Sequence, residues 1–83
     1  MKSGFVKSKV RVDLTPGDSV RVAREMLNWS QNDLAEASGI PQSTISGIES
    51  NRIAIGLERA KKLAIALKIH PAVIAFPQWP MLG

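Results

Sequence analysis

Eighty-three residues, 45% of them apolar, 22% charged and none cysteine, carry eleven Lys and Arg against seven Asp and Glu and so a formal charge of +4. A chain this short buries only about 60% of the surface its unfolded form exposes, which excludes a large multidomain enzyme and makes a partner subunit a reasonable source of extra stability. The lack of cysteine excludes a disulfide framework, a thiolate zinc site and a thiol nucleophile. No run approaches the ~20 apolar residues of a membrane helix and the N-terminus lacks the apolar block of a signal peptide, so a soluble, cytoplasmic protein with no membrane partner is expected.

The charge is unevenly placed. Residues 1 to 12 hold Lys2, Lys7, Lys9 and Arg11 and no acid, whereas bases and acids balance from residue 13 onward. A basic arm is thus joined to a neutral body, and the function of the body has to come from side-chain placement rather than from net charge.

In chain order, Val10, Val12 and Leu14 alternate with Arg11 and Asp13, which is strand periodicity; a lone strand must pair with something or stay disordered. Thr15-Pro16 reads as a cap followed by proline at the first position of a helix whose inward stripe is Val20, Ala23 and Leu27, with Asn28 at its end. Ser30 caps a short second helix, with Asp33 as a weaker form of the capping box, and Gly39 stops it where a left-handed backbone is commonly required. Pro41 then restarts the chain into a third helix, Gln42 to Ser50. A fourth helix is predicted from about Leu57 to Lys68, with Ala60, Leu63, Ala64 and Leu67 as its apolar stripe. His70-Pro71 caps and opens a fifth, Ala72 to Phe76, and Pro77 and Pro80 end helical structure. The expected division is a basic arm over 1–14, a folded domain over 15–77 and a tail over 78–83.

Residues 31 to 50 carry the functional signal. Leu34, Ile40, Ile45 and Ile48 supply inward apolar groups, Ala35 is small where two helices would cross closely, and Gly39 frees the backbone of the connecting turn. One glycine between helices is weak evidence, but a small residue, a glycine and four apolar positions in register form a strong helix-turn-helix pattern. Through Trp-Ser-Gln-Asn-Asp-Leu-Ala (29 to 35) and Gln-Ser-Thr-Ile-Ser-Gly-Ile-Glu (42 to 49), the sequence resembles the Cro/repressor (Xre-type) helix-turn-helix family over roughly residues 17 to 76.

That resemblance implies an all-α, five-helix, lambda-repressor-like domain that dimerises and places its third helix in the DNA major groove, here with a short extended arm or strand ahead of it. It implies that Gln31 contacts phosphate and braces Gln42, and that Gln42 reads a base, its amide being suited to adenine. Ser43 and Gly47 match positions that often read bases, while Thr44, Ser46, Ser50, Asn51 and Arg52 lie where they reach backbone or nearby base edges. Arg24 and Glu49 match a pair that forms an ion pair beneath the recognition helix in some relatives. Two residues depart from the pattern. Gly47 offers no side chain at a base-facing position and allows close backbone approach or tolerance of the base below it, and Asn51 stands where glycine is usual, as the next-best residue for a left-handed turn.

Other readings are weaker. Catalysis by Ser43, Thr44 or Ser46 would need a base and an oxyanion site, yet the single histidine, His70, is more simply a cap, so no enzyme is expected. Asp33, Glu36 and Glu58 lack the partners of a metal site, and Lys61, Lys62 and Lys68 read as a solvent-facing row; no metal and no cofactor is expected. Phe76, Trp79, Met81 and Leu82 fit either packing onto the domain's own core or a two-fold homodimer patch, and the family resemblance favours the latter.

The expectation is a homodimeric transcriptional repressor that binds double-stranded DNA at a pseudo-palindromic operator. The alternative is an antitoxin that neutralises a toxin protein through a terminal segment and represses its own operon. The arm has three readings: phosphate contact, strand pairing across a dimer, and strand addition to a partner protein. Deleting residues 1 to 12 separates the first from the other two, because each neutralised phosphate contributes ~0.9 to the salt slope on B-DNA. A flatter slope of log affinity against log salt identifies the arm as a DNA contact; an unchanged slope identifies it as a protein-pairing strand.

Overall fold

Thr15 and Ser30 start their helices by the same chemistry. In the computed structural model, which describes residues 14–75, the Asp18 N–H donates to Thr15 Oγ1 at 3.0 Å and the Thr15 N–H donates back to Asp18 Oδ2 at 3.1 Å. Around Ser30 the Asp33 N–H donates to Oγ at 3.0 Å and the Ser30 N–H donates to Asp33 Oδ2 at 2.8 Å. Both are complete capping boxes built with the shorter Asp, so two otherwise orphaned donors are satisfied at each helix start. The bond from the Thr15 N–H holds the Asp18 carboxyl below the usual carboxylate range. Asp33 is therefore a full partner in its box, and Asp18 forms an equivalent one.

These caps open α1 (Pro16–Met26) and α2 (Gln31–Ser38), which are followed by α3 (Gln42–Glu49), α4 (Gly56–Leu67) and α5 (Pro71–Ala75). Among the described residues the architecture is all-helical. The alternation expected over Val10 and Val12, like Phe76 and the tail beyond it, lies outside the described residues; Leu14 is described and belongs to no helix. His70 acts as the predicted cap, its Nδ1 accepting the Ala72 N–H at 3.0 Å.

Three helices end in one way. Asn28, Asn51 and Lys68 take positive φ of 60°, 66° and 60°. In each case the next N–H reaches the carbonyl five residues back: Trp29 to Arg24 at 3.2 Å, Arg52 to Gly47 at 2.8 Å and Ile69 to Ala64 at 2.9 Å. This closes orphan carbonyls, and in the first and last case turns Trp29 and Ile69 inward against the core. Gly39 ends α2 at φ 79°, as its place in the turn requires.

The core joins all five helices. Val20 of α1, Leu34 of α2, Ile40 of the turn, Ile45 and Ile48 of α3, Ala60, Leu63, Ala64 and Leu67 of α4, and Ile74 of α5 are all buried. Fully burying a side chain of the Val, Leu or Ile kind contributes about 1.5–3 kcal/mol, so the packing of α3 against its neighbours is held on one face by Ile45 and Ile48. Leu27, expected on the inward stripe of α1, instead is 43% exposed. The helix ends at Met26 and Leu27 is its C-cap, and it is not among the residues packed against the core.

Gly17 sets how closely α1 approaches α3. A Cβ at Gly17 would overlap the Ile48 carbonyl oxygen and lie 2.8 Å from Asn51 Oδ1. Alanine is favoured over glycine by about 1 kcal/mol in helix propensity, but here the obstructing atom is main chain and cannot swing aside. Gly17→Ala is therefore expected to destabilise the domain by roughly 1–3 kcal/mol, measured by chemical denaturation. A stabilised Gly17→Ala variant would contradict the close α1–α3 contact.

Candidate nucleic-acid interface

At 3.6 residues per turn each position of α3 advances by about 100°, which separates a buried side from an outward arc. Ile45, Ile48 and Glu49 lie on the buried side, whereas Gln42, Ser43, Ser46 and, one turn on at the C-cap, Ser50 fall within one arc on the other. Gln42, Ser43 and Ser50 are exposed and Ser46 is half-buried. Thr44 sits at the flank, also half-buried. The outward arc thus offers an amide and hydroxyl groups of neutral charge, set on a helix whose opposite side is packed.

Beneath that arc lies a connected polar network. Arg24 of α1 donates to Glu49 of α3 through Nε to Oε2 at 2.8 Å and Nη2 to Oε1 at 3.0 Å, a two-pronged pairing, and its Nη1 donates to the Trp29 carbonyl at 2.7 Å. Gln31 at the start of α2 donates through Nε2 to the same Glu49 Oε1 at 3.0 Å. Gln42 then donates through Nε2 to Gln31 Oε1 at 2.7 Å. The side chains of Arg24 and Glu49 retain only 11% and 4% of their exposure. Burial of both charges is costly, and it is offset by good pairing geometry and by the further bonds to each partner. The Glu49 hydrogen bond raises the Arg24 guanidinium further above its ordinary value.

The expected ion pair between Arg24 and Glu49 and the expected brace between Gln31 and Gln42 are both present. The sequence does not connect them. The connecting bond, Gln31 to Glu49, spans 18 residues and two helices, so no local spacing points to it.

Gly47 is placed differently from the expectation. It is buried, and a Cβ there would collide with Ile53 Cδ1 and lie 2.8 Å from Ile53 Cγ1. Its missing side chain makes room for Ile53, which packs against the core; it does not leave a gap at a base-facing position. Ser50 is also more committed than expected. Its hydroxyl donates to the Gly47 carbonyl at 3.2 Å and accepts from Arg52 Nε at 3.0 Å. That leaves the remaining guanidinium donors of the exposed Arg52 at the C-terminal end of α3. Asn51 fills its turn position, with Oδ1 beside Gly17 at the start of α1.

Within residues 42–52 the charges are the buried, paired Glu49 and the exposed Arg52. Asp33, Glu36 and Glu58 are exposed, as are Lys61, Lys62 and Lys68, and no cluster of three metal-ligating side chains occurs among the described residues. No described helix is long and apolar enough to cross a membrane.

Two helices in a three-residue turn, the second carrying a polar outward arc and held from below by α1, define a helix-turn-helix domain. Residues 20–74 match the helix-turn-helix family model. The chain belongs to that family, in its Xre/Cro branch of DNA-binding transcription regulators. A crystal structure of the hypothetical transcription factor NHTF from Neisseria is similar, with a TM-score of 0.71 and 28% sequence identity over 76% of this chain and 72% of that one. No curated protein sequence matches.

The buried pair makes a clear energetic prediction. Removing one partner leaves the other charge desolvated and unpaired, which costs about 3–5 kcal/mol at a buried site. Arg24→Ala and Glu49→Ala are each expected to lower stability on that scale. The double variant should lose much less than the sum of the two, so that a double-mutant cycle in denaturant returns a strong coupling. Additive losses would contradict the network.

Proposed function

We propose that the chain is a sequence-specific transcriptional repressor that binds double-stranded DNA as a homodimer, with α3 in the major groove of a pseudo-palindromic operator. The observation that carries this reading is the outward arc of Gln42, Ser43 and Ser46 on a helix fixed from behind by Ile45, Ile48 and the Arg24–Glu49 pair. A reading helix has to be rigid, since a side chain that wanders discriminates poorly between base edges. In this reading Gln42 is the principal base reader, Ser43, Thr44 and Ser46 contact base edges or backbone nearby, and Gln31 and Arg52 meet phosphates that fix the register. Ser50 acts by holding Arg52, Asn51 by shaping the turn, and Gly47 by admitting Ile53.

Homodimerisation is favoured by apolar side chains left exposed on the last two helices, Ile65 at 76% and Val73 at 37%. Two copies related by a two-fold axis would present two α3 helices to successive major grooves. Repression follows by occlusion of a promoter, in the cytoplasm, with no cofactor and no catalytic step. The antitoxin alternative rests on the arm and the tail, which lie outside the described residues, so it draws no support from the helices.

Selection of bound sequences from a random duplex library tests the proposal. The recovered sites should be pseudo-palindromic, with half-site centres about 10 to 10.5 bp apart. Gln42→Ala should relax preference at one base position in each half-site, at a cost of roughly 1–3 kcal/mol. A library that yields no preferred sequence would remove the regulator reading and leave a pure interaction module; unchanged preference in Gln42→Ala would remove Gln42 from the reading set.

A further inference from the structure

We infer that Glu49, buried and out of reach of DNA, determines which base Gln42 selects, by fixing the direction of two side-chain amides in series. The inference rests on the proposal that Gln42 reads a base. An ionised carboxylate can only accept hydrogen bonds. Gln31, 3.0 Å from Glu49 Oε1, must therefore turn its NH2 group inward and its carbonyl oxygen toward Gln42. That oxygen also only accepts, so Gln42, 2.7 Å away, must turn its own NH2 group toward Gln31. One N–H of Gln42 is consumed. Its second N–H and its carbonyl oxygen remain on the exposed end of α3, in a fixed order.

The order matters because base pairs differ in the sequence of donors and acceptors along the major-groove edge. A glutamine amide that flips freely presents both orders and reads the pattern ambiguously. Anchored at Glu49, it presents one. Arg24 completes the device: its two bonds to Glu49 hold the buried carboxylate in place. Glu49 and Gln31 are thus positioning residues for specificity, acting through Gln42. The ion pair beneath α3 has an informational role besides its structural one.

Two substitutions at Gln31, a half-buried position at a helix start, separate direction from stability. Gln31→Met keeps the length of the side chain and removes both donor and acceptor, releasing the Gln42 amide. Gln31→Lys supplies donors only; it still bonds Glu49 but now attracts the carbonyl of Gln42, reversing the amide. Full-length protein and both variants are put through selection from random duplex DNA, with Gln42→Ala alongside, and thermal unfolding is recorded for each. Gln31→Met should lower discrimination at the single position that Gln42→Ala identifies by about tenfold, within the range one bidentate contact supplies, and leave other positions as they were. Gln31→Lys should change the preferred base at that same position. In the free protein, the side-chain amide proton resonances of Gln42 should shift in both variants.

Retention of the original base preference in both Gln31 variants, while Gln42→Ala abolishes it, overturns the relay but leaves Gln42 as the reader. Unchanged preference in Gln42→Ala itself overturns the reading on which the relay rests, and the relay with it. Uniform weakening at every position would show Gln31 to be a phosphate contact alone and would equally overturn the inference.

Discussion

A buried carboxylate organises the helix-turn-helix half of this domain. Glu49 lies at the end of α3, facing inward, and three donors from two other helices converge on its two oxygens. Taking a charge out of water is expensive enough that an apolar residue of similar volume would often serve stability as well or better. What an apolar residue could not supply is direction. Van der Waals contact tolerates small rotations of α3 about its axis, whereas a two-pronged guanidinium–carboxylate pair with a third donor permits one arrangement. The pair therefore fixes the rotation of α3 relative to α1 and α2, and with it the set of side chains that face outward.

Two further constraints act on the same helix. Gly17 lets the main chain of α1 come into contact with the Ile48 carbonyl, so the distance between α1 and α3 is set by main-chain atoms rather than by compressible side chains. The left-handed turn at Asn51 lets both Arg52 and Ile53 donate to the Gly47 carbonyl, which seats Ile53 over Gly47. Rotation, separation and termination of α3 are thus each governed by a different interaction. Each is short-ranged and specific, which suits the groove-reading role proposed for this helix.

The sequence conveys local structure well because caps, left-handed turns and apolar stripes are written within four or five residues of one another. Thr15, Ser30, Gly39, Asn28, Asn51 and His70 all act as their types and spacing predict, and the buried Leu, Ile and Ala side chains of α2 to α4 are those that the 3.6-residue period selects. The helix-turn-helix pattern also places Gln42, Ser43 and Ser46 on the outward arc. What spacing cannot convey is contact between distant segments. The role of Gly17 depends on Ile48 and Asn51, more than thirty residues away in sequence. The role of Gly47 depends on the rotamer of Ile53, which turns an apparent gap in the reading face into a packing site. Leu27, on the expected stripe, lies just past the end of α1, and a period carries no information about where it ends. The Gln31–Glu49 bond joins two features that are each legible alone.

The net charge of +4 belongs to residues 1 to 12, while the exposed charge on the recognition stretch is Arg52 alone. Phosphate attraction strengthens binding to any duplex equally and carries no information about sequence. With so little charge on the outward arc of α3, binding to the right site depends, on the proposed reading, in large part on neutral groups, each able to discriminate by about 1–3 kcal/mol at most. Neutral groups discriminate only when their donors and acceptors stand in a defined order, and an amide is the group whose order is easiest to lose, since its two ends are nearly the same shape. A reading face built on glutamine and serine therefore needs an internal reference that can distinguish oxygen from nitrogen. On the proposed reading, Glu49 provides it from its buried position.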